Sequence, residues 1–403
     1  MKRQDNLPTR SPLSRRQLLM RAGALGAAGL SLPALVSSGA VNAATTTRSS
    51  TRSRASAPRP RSGGGGELFV ENWPEYIDPT EDDLVGTVDR FIEATGIETT
   101  YSEAYNDNNE YFALIQPLLG RGETIEPDII VPTGWLAGRL INLGWVEELP
   151  LDQIPNAANL RDDLVNPAWD PDGKFSLPWQ TGFAGIAYNL EVTGRELTST
   201  NDLFDPEFNG KIGMLTEMRD TIGLILLSLG VDISTISSFD EAAEAFEKLE
   251  LAKNDGQIRA FTGNDYISDL ESGNFAACIG WSGDVAQLSV ENPNIRFVIP
   301  EEGGTSWADT MLIPKGAQHA DEAAKWMDFV YDPVQAAQIT AWVQYVSPVK
   351  GVQEEVAKID PDLAENTLIF PDEETLANVH GFANLDEDTE AQFDEAFSAI
   401  VGA

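Results

Sequence analysis

The chain of 403 residues holds one cysteine, Cys278, and two histidines, His319 and His380. One thiol permits no disulfide within the chain and no thiolate zinc cluster. Two histidines leave little room for a His-rich metal site or a Ser-His-Asp arrangement. Basic residues are scarce: 27 Lys and Arg stand against 64 Asp and Glu, a net charge of −37. Residues 1–65 hold 11 of the basic residues and one acid, Asp5, so the rest carries 16 basic and 63 acidic residues, a net of −47. A body this anionic does not grip nucleic acid through its phosphates, and an anionic membrane surface repels it. Cations are its natural partners, although acidity also serves solubility or adaptation to salt. Catalytic motifs are missing too. Gly280-Trp281-Ser282-Gly283 lacks the spacing of a nucleophile elbow, and the body has no H-E-x-x-H, P-loop or G-x-G-x-x-G. Asp170-Pro171-Asp172-Gly173 begins like a calcium loop but lacks the later acids, and reads as a turn.

What is present starts with an address. Ser14-Arg15-Arg16-Gln17-Leu18-Leu19 precedes a mildly apolar stretch, Ala22 to Val36, and small residues follow to Val41-Asn42-Ala43. A basic region, a short apolar region and a small-residue cleavage site, in that order, resemble a twin-arginine export signal over residues 1–43. Arg21, Pro33 and the abundance of Gly and Ala argue against a membrane span, which needs about 20 strongly apolar residues. Residues 44–66 are Thr, Ser, Arg, Pro and Gly, which cannot build a core and read as a disordered linker.

From residue 67 the chain alternates strands and helices. Glu67 to Glu71 is a short strand. Leu84, Val88, Phe91 and Ile92 share one helix face, closed by Gly96. Strands follow at Ile97 to Ser102 and Asp128 to Val131, with helices at Tyr111 to Leu119 and Leu136 to Leu143. The pattern resumes with strands near Gly185 to Asn189, Lys211 to Leu215, Ala276 to Ile279 and Phe297 to Ile299, and helices at Thr221 to Leu229 and Phe239 to Ala252. This predicts an α/β fold with largely parallel sheet, in two lobes of about 100 residues of sheet region each. Ligands of such folds bind at the carboxyl ends of strands or between lobes.

Aromatic and acidic residues recur at those places: Asn72-Trp73-Pro74-Glu75-Tyr76, Glu217-Met218-Arg219-Asp220, Trp281-Ser282-Gly283-Asp284, and Trp307-Ala308-Asp309. An aromatic face attracts a cation and packs against methylenes, at about 0.5–2 kcal/mol per contact. A carboxylate accepts charge-assisted hydrogen bonds from an ammonium, which must be paired once buried. The set therefore suits a slender, multiply protonated amine. Plainer roles stand beside this one. Trp73, Tyr76 and Trp281 would serve as core packing, Glu217 and Asp220 as acids at a helix N-terminus, and Asp309 as a turn acid.

The order and spacing of several segments resemble the spermidine/putrescine-binding proteins of ABC importers over nearly all of residues 67–403. They are Asn72-Trp73 with Glu75-Tyr76, Asp128 to Val131 with Pro132-Thr133, Ser176-Leu177-Pro178 before Gly185-Ile186, Asp265-Tyr266-Ile267, Ile279 to Asp284, and Glu302-Gly303-Gly304 before Trp307 and Asp309. The resemblance implies a two-lobed, hinge-bending periplasmic-binding-protein fold of the second type. Residues 67–182 and 309–353 would form one lobe, and 183–308 and 354–403 the other, with crossings near Gly182 and Asp309. It implies that Trp73, Glu75, Tyr76, Thr133 and Trp135 meet the ligand from the first lobe, as does Tyr345. Glu217, Asp220, Trp281, Asp284, Trp307 and Asp309 would complete the site. A polar group that members supply near the C-terminus has no clear counterpart around Phe382 to Asn384. The implied protein is an exported monomer, in the periplasm or on the outer face of the membrane. It would capture putrescine or spermidine without cofactor, metal or covalent chemistry, and pass it to an ABC permease. Membrane contact would come only through that permease or the N-terminal segment. The residues also admit the same fold with another small solute, a polyamine sensor, or, on weaker grounds, an exported hydrolase.

Overall fold

A computed structural model describes residues 66–402, apart from residues 75, 82–83, 106–107 and 264 and the side chains of 290 and 291. The expected export signal, all of the expected linker but Gly66, and Glu75 lie outside the described residues.

Among the described residues, ten strands form one connected sheet: β1 (Glu67–Asn72), β2 (Glu98–Glu103), β3 (Ile129–Ile130), β4 (Ser176–Asn189), β5 (Ile212–Leu215), β6 (Ile258–Thr262), β7 (Ala277–Trp281), β8 (Ile295–Val298), β9 (Gly304–Leu312) and β10 (Val379–Gly381). Their order is β2-β1-β3-β9-β4-β7-β5-β6, with β8 on β4 and β10 on β9. The outer pairings β1–β2, β1–β3, β5–β6 and β5–β7 are parallel, as the strand–helix alternation predicts. The centre differs. Strands β4 and β9 are antiparallel to each other, and β4 is antiparallel to β7 and β8.

The sheet runs through two apolar cores. Leu68, Val70, Ile129, Met311 and Trp326 belong to the first, which has a neighbouring cluster around Tyr105, Phe112 and Leu136. Ile186, Ile212, Met214, Leu224 and Ile279 belong to the second. Strand β4 gives Leu177 and Trp179 to the first core and Ala184 and Ile186 to the second. All fourteen of its residues are buried, as a strand covered on both faces requires. Gly182 on β4 pairs with Trp307 on β9, where the two strands pass from one core to the other.

The chain returns once more near its end. Val356 and Ala364, expected in the second lobe, pack in the first core, and Phe370 packs against it. Strand β10 then pairs with Gly304 to Ser306, and Phe382 and Leu385 pack on the second core. The change of core thus falls after Phe370 rather than at residue 354. Among the described residues no helix is long and apolar enough to cross a membrane.

Candidate functional site

Between the cores lies a cleft of about 1240 Å³. Among the buried acids that line it is Asp309, on β9 opposite Gln180 of β4. One carboxylate oxygen accepts from the Tyr76 hydroxyl at 2.9 Å, the other from Thr133 Oγ1 at 2.7 Å. Thr133 is itself held by Asn108, whose Nδ2 donates to Oγ1 at 2.9 Å. Asp309 is 6% exposed. Burial pushes its carboxyl up to about 7, with repulsion from Asp220 adding to the rise and the two hydroxyls opposing it.

The second lobe supplies Asp220. It sits in the first turn of the helix Met218–Ser228, which begins three residues before the predicted Thr221. Glu217 caps that helix by accepting from Arg219 N at 3.1 Å. Asp220 accepts from Trp281 Nε1 at 2.8 Å and from Thr305 Oγ1 at 2.6 Å. Burial raises its carboxyl, against those two donors and the nearby Arg219 charge. Asp284, in the first turn of the helix Ser282–Glu291, accepts from the Tyr266 and Tyr345 hydroxyls at 3.0 Å each. Tyr345 comes from the first core and Asp284 from the second lobe, so this pair spans the cleft.

Rings fill the space between the acids. Trp73, in the turn after β1, donates from Nε1 to the Val131 carbonyl at 2.9 Å and lies 4.9 Å from Tyr105. Trp307 lies 5.4 Å from Tyr345, which meets Tyr76 edge-on at 5.6 Å. Glycines seat two of these rings. A Cβ on Gly182 would come within 2.5 Å of Trp307, and one on Gly283 within 2.7 Å of Tyr345.

Of the residues singled out from the sequence, Trp73, Tyr76, Thr133, Trp135, Glu217, Asp220, Trp281, Asp284, Trp307, Asp309 and Tyr345 all line this one cleft. Glu75 lies outside the described residues. Sequence reasoning missed Tyr105, Asn108, Trp169 and Arg219, which line it as well. Trp169 lies in the Asp170 turn; its ring rests on Gly134, where a Cβ would be 2.7 Å away, and that contact leaves no local signature. Arg219 was in plain view between two singled-out acids. Phe382, Ala383 and Asn384 also reach the cleft. Among the described residues no group of three or more His, Cys, Asp or Glu could hold a metal ion.

Chemically the site offers acceptors that neutral hydroxyl and indole donors hold in place, enclosed by π faces. That complements a group that only donates hydrogen bonds and carries positive charge.

The chain matches the family of bacterial extracellular solute-binding proteins over residues 86–371. It is 28% identical to spermidine/putrescine-binding periplasmic protein 1 of Haemophilus influenzae, over 78% of this chain and 83% of that protein. It is also 28% identical to the putrescine-binding periplasmic protein PotF of Escherichia coli, over 77% of this chain and 85% of that protein. Among solved structures, the spermidine/putrescine ABC transporter substrate-binding protein PotD of Streptococcus pneumoniae superposes with a TM-score of 0.70 at 25% identity, covering 83% of this chain and 98% of that one.

Proposed function

The chain belongs to the bacterial extracellular solute-binding proteins, and from that premise we propose that its cleft captures a protonated polyamine, putrescine or spermidine, for delivery to an ABC importer. As a member of this family it acts outside the cytoplasm as a binding protein and not an enzyme. The observation that carries the polyamine reading is Asp309. This buried carboxylate is held by the hydroxyls of Tyr76 and Thr133 and faces the raised carboxyl of Asp220 from the other lobe. An ammonium between the two aspartates relieves their mutual repulsion, and its methylene chain packs on Trp281, Trp307 and Trp73. The relatives named for spermidine and putrescine support the same ligand class.

The twin arginines and the apolar stretch after them act as the export signal, and residues 44–66 join that signal to the body. The protein works as a monomer that docks on its permease. Its lobes, 67–182 with 309 to about 370 and 183–308 with the remaining C-terminal segment, bend where β4 and β9 cross.

Calorimetric titration of the full chain with putrescine, spermidine and spermine tests the reading. Binding is expected for at least one, and ligand at 100 times its dissociation constant adds ~2.7 kcal/mol of stability. Absence of both heat and thermal stabilisation with all three amines at about a millimolar defeats it.

A further inference from the structure

Arg219 is a cation inside a cleft suited to cations. It stands at the start of the helix Met218–Ser228 in the second lobe, and its side chain is 11% exposed. One guanidinium nitrogen pairs with Glu390 on the helix Glu387–Val401, whose Phe393 and Phe397 lie in the second core. Another lies 3.8 Å from Glu217. The guanidinium carbon is 3.9 Å from the centre of the Trp135 ring. Trp135 belongs to the other lobe, on the helix Gly134–Asn142, and packs on the cluster around Leu136 and Leu140. Two groups expected to meet the ligand, the Trp135 face and the Glu217 carboxylate, thus engage a cation that the protein itself supplies. A second link crosses between the lobes at the exposed rim, where Asn384 Nδ2 donates to the Ala168 carbonyl at 2.7 Å.

The geometry points to the Arg219–Trp135 contact as a latch, made when the lobes shut and retaining the ligand by slowing reopening rather than by touching it. Glu217 and Glu390 hold the guanidinium from behind, so little side-chain freedom is lost when Trp135 arrives. The contact counts only in the closed state, and its whole strength therefore shifts the open–closed balance. Such a device acts equally on every ligand that fits. Arg219 is on this reading a positioning residue.

The mechanism rests on the two lobes alone; its kinetic test also rests on the polyamine reading. Release of putrescine and of spermidine is timed by stopped-flow tryptophan fluorescence on the full chain. The variants are Arg219→Met, Trp135→Leu, their combination, and the conservative Arg219→Lys and Trp135→Phe. Each non-conservative single variant is expected to speed release about tenfold, by one common factor for both amines. The double variant is expected to be no faster than either single, and the conservative variants to restore most of the loss. Factors that differ severalfold between the amines would assign the pair to the ligand wall and overturn the latch. So would additive effects in the double variant. Small-angle scattering of the amine-free chain gives a ligand-independent reading, in which Arg219→Met should enlarge the radius of gyration. Equal radii would overturn the latch. Should the wild type bind neither amine, the polyamine reading falls alone and the scattering result still decides.

Discussion

Gly182 and Trp307 are register partners on β4 and β9, and the indole lies where a side chain at position 182 would begin. The backbone crossing and a wall of the cleft are therefore one packing unit. Gly182→Ala must displace Trp307 or bend β4. It should cost about 1–3 kcal/mol of stability and weaken amine binding about tenfold. Denaturant unfolding and calorimetry check this, and an unchanged affinity would mean that Trp307 swings aside freely.

Asp309→Asn keeps the shape of the side chain and removes its charge. Removing one member of a buried charged pair costs about 2–5 kcal/mol, so putrescine affinity should drop at least about thirtyfold. Amine-free stability should move the other way at pH 8, because the variant no longer buries a carboxylate. Paired melting curves with and without putrescine read both effects. A variant that binds like the wild type would remove Asp309 from the site.

The Asp309 carboxyl, raised to about 7 in the fold, sits near 3.9 in an unfolded chain. The folded state thus holds the extra proton between those values. This group makes the amine-free protein less stable as pH rises from about 4 to about 7, and contributes no further change above. Binding of an ammonium favours the ionised form. Affinity should therefore climb with pH, by up to about tenfold per unit below 7, and level off above it. Titrations at pH 6 in buffers of different ionisation enthalpy should register proton release on binding. A flat profile from about 5.5 to about 8, on either side of the Asp309 value of about 7, would show that Asp309 does not titrate there.

Asp170 is 1% exposed and accepts the backbone N–H groups of Lys174, Phe175 and Ser176 at 3.1, 2.8 and 2.9 Å. It closes the turn that carries Trp169 to the cleft. Asp170→Ala strands those donors and should cost about 3 kcal/mol, while millimolar calcium should leave the melting temperature of the wild type unchanged. A calcium-dependent rise would restore the metal-loop alternative.

The sequence displayed the site best where chemistry and periodicity coincide. Trp281 closes a buried strand and Asp284 opens the helix behind it, so both stand at a strand end that the apolar run already marks. Strand β9 was not legible. Gly304-Thr305-Ser306-Trp307-Ala308-Asp309 is too polar to read as a central strand, because its side chains serve the cleft and the acids around it. The helix at 218 starts ahead of its sequence signal, because its apolar run opens at Ile222 whereas the Glu217 cap determines where it begins. Arg219 carries no local signature for a different reason. The large acidic excess directs attention to carboxylates, and only the folded chain lays this guanidinium over Trp135.

Strand β4 is hydrogen-bonded along nearly all of its fourteen residues and gives side chains to both cores. Neither half of the molecule can be excised as an independently folding piece, since any cut near residue 182 robs both of their central partner. Melting should accordingly be a single event, with the amides of Ala184 to Tyr188 the last to exchange with deuterium.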